Sequence, residues 1–225
     1  HRYQIKKIKE IFPDSLIILC LGSYFNQRGD ISILSKQDKV KISLEYGIDL
    51  IVELPLMYTV QSGDIFAYQS IKILNSLGID TLVFGSESND IEFLHKLALK
   101  QESPLYQENV RKYLKLGNNY PSALAKALEV NFSFKSNDLL GISYLKAINK
   151  INPNIKAVTI KRTNNYLDTV SDDNIISASN IRDRFYREED VSKYTPCYKE
   201  LIRIDYSLYF KLLKSKIMTL DNLDN

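Results

Sequence analysis

Two stretches of this chain share one form, Gly-Ile-Asp followed by a short apolar run. They are Gly47-Ile48-Asp49-Leu50-Ile51-Val52-Glu53-Leu54-Pro55 and Gly78-Ile79-Asp80-Thr81-Leu82-Val83-Phe84-Gly85-Ser86-Glu87. In each, the glycine stops a helix-like segment and the run that follows has the length of a strand. Residues 64–77 (DIFAYQSIKILNSL), between the two runs, place apolar side chains at helical spacing. A third run, Ser15-Leu16-Ile17-Ile18-Leu19-Cys20-Leu21, is apolar and rich in β-branched residues, which suits a strand covered on both faces. Residues 35–46, carrying Lys36, Lys39 and Lys41, read as a helix that Gly47 ends. The order is β-α-β-α-β. The expected fold class is therefore α/β, a parallel sheet with helices on both faces.

Around this centre the chain is mostly helical by periodicity. Residues 1–12 (HRYQIKKIKEIF) put Tyr3, Ile5, Ile8 and Ile11 on one face and lysines on the other, and Pro13-Asp14 ends the helix. Residues 90–116 read as helical and charged, 121–129 as a helix opened by Tyr120-Pro121, and 139–149 as another. Ala157-Val158-Thr159-Ile160 is a short strand ending at Lys161-Arg162. A polar loop, 164–174, leads to a helix over 178–186. Residues 201–220 mix apolar and basic side chains and are expected to form a pair of helices.

Composition excludes some classes. No apolar run is long enough to span a bilayer, and the start has no signal-peptide pattern. Cys20 and Cys197 lack metal-ligand spacing, and Cys20 sits in an apolar run as a reduced core thiol would. A cytoplasmic location is expected. A net charge of +3 permits a polyanionic partner without arguing for one. The chain opens at His1 without an initiator Met, so a fragment lacking its N-terminus is expected.

Chemistry in open α/β sheets gathers in the loops after strand C-termini. Here those are Gly22-Ser23 with residues 24–30, Gly85-Ser86, and Lys161-Arg162. Glycine at such an end lets a ligand approach the backbone. Asn137 either caps the helix it precedes or turns its amide toward a base or ribose. The octapeptide Ile175-Ile176-Ser177-Ala178-Ser179-Asn180-Ile181-Arg182 puts two hydroxyls at a helix start, with a guanidinium close behind. Free N–H groups, hydroxyls and a guanidinium suit phosphate oxygens. The plainer reading is that Ser177 or Ser179 caps the helix.

These segments resemble a known family. Ile176-Ser177-Ala178-Ser179-Asn180-Ile181-Arg182 resembles the second signature of the HIGH-type nucleotidyltransferases, and His1 ahead of a helix resembles the last histidine of their HxGH motif. Gln27-Arg28-Gly29-Asp30, residues 47–55, Phe66-Ala67-Tyr68, Phe84-Gly85-Ser86-Glu87, residues 137–145 and Ile160-Lys161-Arg162 are similar, in order, to the tRNA(Met) cytidine acetate ligase family. The family's Ser-Gly-x-Phe loop is reversed here to Gly22-Ser23-Tyr24-Phe25, and its C-terminal helical region is longer.

The resemblance implies a Rossmann-like domain of the nucleotidyltransferase type over residues 1–190, its first strand missing, and the start of a C-terminal helical extension over 191–225. It implies an ATP-dependent ligase that forms acetyl-adenylate from acetate and acetylates N4 of the wobble cytidine of elongator tRNA(Met). The ATP contacts it implies are His1 (also catalytic), Gly85, Asn137, Arg162, Ser177, Ser179 and Arg182. Mg²⁺ is expected to bridge phosphate oxygens, and Arg28, Lys36 and Lys39 to reach tRNA phosphates. Two alternatives are another small-molecule adenylyltransferase, acting on pantetheine phosphate or nicotinamide mononucleotide, and a non-catalytic nucleotide-binding fragment.

Overall fold

Both Gly-Ile-Asp segments fold as their sequence predicts, through left-handed glycines. Gly47 and Gly78 take φ of +93° and +73°, values that a side chain would strain. Behind Gly47, the Ile48 N–H reaches back to the Ser43 carbonyl at 3.1 Å, closing a Schellman turn. Asp49 then sets the next strand: its carboxylate accepts from the Ile17 N–H at 2.8 Å while its own N–H donates to the Ile17 carbonyl. The Ile17 N–H, and Lys9 after it, hold the Asp49 carboxyl below the usual range.

The structure, a computed structural model, describes residues 2–128, 135–162 and 177–220, without the side chains of residues 120 and 121. In chain order come α1 (Arg2–Ile11), β1 (Ile18–Gly22), α2 (Lys36–Glu45), β2 (Leu50–Leu54), α3 (Leu56–Thr59) and α4 (Gly63–Ser76). Then follow β3 (Thr81–Ser86), α5 (Ile91–Glu102), α6 (Pro104–Lys115), α7 (Tyr120–Ala127), α8 (Ser136–Ile151), β4 (Lys156–Lys161), α9 (Ala178–Tyr186) and α10 (Tyr206–Met218). The strands form two parallel ladders, β1 with β2 and β3 with β4. One helix, α2, makes the first crossover; four, α5 to α8, lie within the second. Helices α4 and α8 pack on each other and join the two ladders, α4 resting on β1 and β2 and α8 on β3.

The larger core lies between β3 and the four-helix crossover. Phe84, Leu94, Leu97, Ala98, Tyr106, Val110, Ala123, Ala127, Leu128, Ile142 and Leu145 are its buried members. A smaller one, Ile71, Ala147, Ile148 and Ile155, fills the seam of α4 and α8. Helix α8 comes close to β3 because position 141 is glycine: a Cβ there would stand 2.6 Å from Phe84 Cε2. Gly141→Ala gains helix propensity but forces the Phe84 ring aside. We expect a net loss of about 1–3 kcal/mol, read as a lower midpoint in urea; an unchanged or higher midpoint would contradict this packing.

Three sequence expectations need correcting. The helical stretch 90–116 is two helices, because Ser103-Pro104 interrupts it. Ser103 caps α6, its hydroxyl accepting from the Tyr106 N–H at 3.2 Å, and Pro104 begins the new helix. The pair of helices over 201–220 is one, α10, capped by Asp205 through the Leu208 N–H at 2.9 Å. The run from Ser15 forms its strand only from Ile18, and its residues are half-buried rather than enclosed. Among the described residues β1 has a single neighbouring strand, β2, and Leu16 ahead of it is exposed.

Candidate functional site

The C-terminal ends of β3 and β4 bring three of the expected residues together. Parallel register sets Gly85 opposite Ile160 and Ser86 opposite Lys161. Arg162 follows at once, its N–H donating to the Ser86 carbonyl at 2.9 Å. The Arg162 side chain then runs over Gly85, where an added Cβ would stand 3.5 Å from its Cγ. That is ordinary contact distance, so the Arg162 stem covers Gly85 closely. Asn137 enters from the first turn of α8, its Oδ1 3.5 Å from Arg162 Nη1. The Arg162 Nε is buried and has no hydrogen-bond partner among the described residues. A buried guanidinium nitrogen without an acceptor is costly, and an anion would satisfy it.

Why these three converge is set by two carboxylates that sequence reading did not single out. Asp138 is fully buried. Its carboxylate accepts from Ser86 Oγ at 2.5 Å, from the Glu87 N–H at 3.0 Å and from the Ser88 N–H at 3.1 Å. Glu87 returns the contact: it accepts from the Asn137 side-chain amide at 2.6 Å and from the Asp138 N–H at 3.0 Å. Each segment therefore supplies acceptors to the other's free N–H groups, a reciprocal cap between a strand end and a helix start. Both negative charges sit at the N-terminus of α8, where the helix dipole favours them. The available signal was the acid that each of Phe84-Gly85-Ser86-Glu87 and Asn137-Asp138 carries at its end. The N-cap position of α8 is Lys135, so Asn137 does not cap this helix; its amide is spent on Glu87.

The β1–β2 end is built differently. Gly22 packs under Thr59, where a Cβ would fall 2.8 Å from Thr59 Cγ2. Lys39 donates to the carbonyls of Gly22, at 2.8 Å, and Ser23. Burial lowers the Lys39 pKa from its ordinary value. Lys36 pairs with Glu53, which raises the lysine and, with help from Ser23, lowers the carboxyl. Lys36 and Lys39, expected at tRNA phosphates, are thus both turned onto the protein. The loop beyond is a tight turn around Asn26, whose side chain accepts from the N–H groups of Arg28 and Asp30, with Gly29 at a φ of +83°.

Helix α9 spans the expected residues 178–186. Ser177 is its N-cap, its hydroxyl accepting from the Asn180 N–H at 3.1 Å, as the plainer reading had it. Arg182 reaches back to Ser179 Oγ at 3.0 Å. The chain after α9 ties this helix to the loop after β1. Arg203 donates to the Tyr186 carbonyl at 2.9 Å, the Ile202 N–H donates to the Ile33 carbonyl at 2.8 Å, and Tyr209 packs on Phe25. His1 lies outside the described residues, as does the 164–174 loop. Among the described residues no cluster of three or more His, Cys, Asp or Glu could hold a metal, and no helix is long and apolar enough to cross a membrane.

Parallel β-α-β units with a basic side chain at their strand ends define an α/β class whose ligands bind at those ends. The family model described as HIGH Nucleotidyl Transferase matches residues 1–224. The tRNA(Met) cytidine acetate ligase of Mycoplasma mobile is 37% identical over 224 residues, 97% of this chain and 75% of that protein. That of Mesomycoplasma hyopneumoniae is 40% identical over 201 residues, 87% of this chain and 63% of that protein. The crystal structure of Thermotoga maritima TmcAL bound with alpha-thio ATP superposes with a TM-score of 0.75 at 30% identity. It is matched over 97% of this chain and 52% of its own. The chain belongs to the HIGH nucleotidyltransferases and, within them, to the tRNA(Met) cytidine acetate ligase family. It spans three quarters of the first relative but only about half of the Thermotoga maritima chain.

Proposed function

We propose that this chain binds ATP at the ends of β3 and β4 and uses it to activate acetate for transfer to elongator tRNA(Met). The observation that carries this reading is the convergence of Gly85, Asn137 and Arg162, with a buried Arg162 nitrogen that has no acceptor among the described residues. A family relative of the same fold, Thermotoga maritima TmcAL, was crystallised with an ATP analogue, which supports the choice of nucleotide. Ser177, Ser179 and Arg182 at the start of α9, together with His1, form the remainder of the ATP site in this reading. In this reading residues 1–190 are the nucleotide domain and 191–225 belong to a helical extension.

An acetate oxygen attacks the α-phosphorus of ATP, the bond to the β-phosphate oxygen breaks, and pyrophosphate leaves. The N4 amine of the wobble cytidine then attacks the acetyl carbonyl; AMP departs and the nitrogen loses a proton. The mixed anhydride is itself the activated acyl donor, so no serine or cysteine nucleophile is needed. Arg162 supplies positive charge and Asn137 a directional amide, preorganised donors and dipoles of the kind that stabilise charge developing on phosphate. Glu87 and Asp138 are occupied by N–H and hydroxyl donors, so among the described residues the site offers no ready carboxylate cage for Mg²⁺. The ion would travel on the ATP phosphates, and no step here depends on a protein-held metal.

The test is ATP–pyrophosphate exchange. Exchange should require acetate, and labelled acetyl should pass to elongator tRNA(Met) and not to a tRNA lacking the wobble cytidine. Exchange supported by pantetheine phosphate or nicotinamide mononucleotide, and not by acetate, would overturn the reading in favour of another adenylyltransferase.

A further inference from the structure

An asparagine amide can face two ways, and here two neighbours decide which. The Glu87 carboxylate, 2.6 Å from Asn137 Nδ2, can only accept, so it must meet the amide nitrogen. The Arg162 guanidinium, 3.5 Å from Asn137 Oδ1, can only donate, so it must meet the amide oxygen. The two constraints agree, and the orientation follows from chemistry without reference to hydrogen positions. Glu87 also holds the backbone beneath this side chain, accepting from the N–H groups of Asn137 at 3.4 Å and Asp138 at 3.0 Å. One carboxylate therefore fixes both where Asn137 stands and which of its atoms is left over. Beside the second Nδ2 hydrogen, what is left over is Oδ1, an acceptor with a second lone pair beyond its long contact to Arg162.

We propose that Glu87 is a positioning residue for the nucleotide: it orients the Asn137 amide so that Oδ1 is offered, beside Arg162, to a hydrogen-bond donor of the nucleoside. The inference rests on the ATP-site reading above. Glu87 touches no phosphate and takes no proton; it acts through Asn137. Its placement at the turn after β3 makes this possible, because the same turn is locked to α8 by Asp138 from the other side.

The test exchanges the partners of the 2.6 Å bond. Glu87→Gln weakens the acceptor and lets the asparagine amide turn over. Asn137→Asp sets two carboxylates against each other. Each should weaken ATP binding, measured by calorimetry on the full chain, by about tenfold or more, the scale of losing a hydrogen bond to a charged group. In the double variant E87Q/N137D the bond is restored with its polarity kept toward the ligand. The introduced amide donates to the introduced carboxylate, which again shows an oxygen toward Arg162. ATP affinity should return to within about threefold of the parent, a rescue that loss of a merely structural contact does not predict. Thermal unfolding of all four proteins identifies any variant that fails to fold, and Glu87→Gln, being isosteric, should stay folded. A double variant that binds no better than the weaker single variant overturns the proposal. Glu87→Gln without effect, alongside a weakened Asn137→Asp, overturns it and leaves the ATP site standing. Normal affinity in Asn137→Asp overturns both.

Discussion

Replacing Asp138 by alanine should cost this chain about 3–5 kcal/mol, the largest loss expected from any single change at the site. The carboxylate is fully buried, and three donors depend on it: Ser86 Oγ and the N–H groups of Glu87 and Ser88. Alanine leaves all of them facing a small void that offers no acceptor. The Ser86 hydroxyl is itself buried and accepts from the Asn89 N–H at 2.8 Å, so the damage spreads along the turn. Asp138→Asn keeps the volume but turns an amide donor toward one N–H, and should cost roughly half as much. At 2–4 °C per kcal/mol for a chain of this size, the alanine variant should melt on the order of 10 °C lower. Calorimetric or urea unfolding checks this. A loss below about 1 kcal/mol would mean that water reaches the turn and that the clamp is not what holds β3 to α8.

How much of this could be read from the sequence divides by the range of the interaction. The Gly-Ile-Asp segments were legible because a left-handed glycine and an apolar run act within a few residues. Helix α9 was legible for the same reason, its cap and its first turn lying inside one octapeptide. The break at Ser103-Pro104 was also written locally, but the surrounding charged, apolar periodicity masks it. What could not be read are the pairings across many residues. Asp138 meets Glu87 and Ser88 across the four-helix crossover, and nothing in either segment alone says that one carboxylate is buried under the other's turn. Lys36 and Lys39 look like solvated cations in sequence; only the fold shows that one holds Glu53 and the other two strand-end carbonyls. Asn137 could be read from sequence as a helix cap or as a contact to the nucleotide; as a cap its side chain would have met its own helix. Its actual partner, Glu87, lies fifty residues earlier.

Arg162→Ala should separate binding from folding more sharply than any other substitution in this site. In the absence of ligand the guanidinium stabilises little: its one described side-chain hydrogen bond, to Asn137, is 3.5 Å long, and its Nε is buried without a partner among the described residues. Removing a partly buried, poorly satisfied charge relieves some desolvation while it forfeits the packing of the stem on Gly85, and the two effects oppose each other. The melting temperature of the ligand-free chain should therefore move by no more than about 2 °C. With ATP the balance reverses. Phosphate oxygens meeting the guanidinium form charge-assisted bonds of about 1.5–3 kcal/mol, so the alanine variant should bind ATP roughly 10- to 100-fold more weakly. Arg162→Lys keeps the charge and loses the fork, and should fall between the two, because an ammonium cannot hold two oxygens in the guanidinium plane. The comparison of ATP affinity with ligand-free melting temperature is the measurement that matters. A variant that melts much earlier and binds ATP normally would make Arg162 a structural residue of the β4 end and remove the main support for a nucleotide site there.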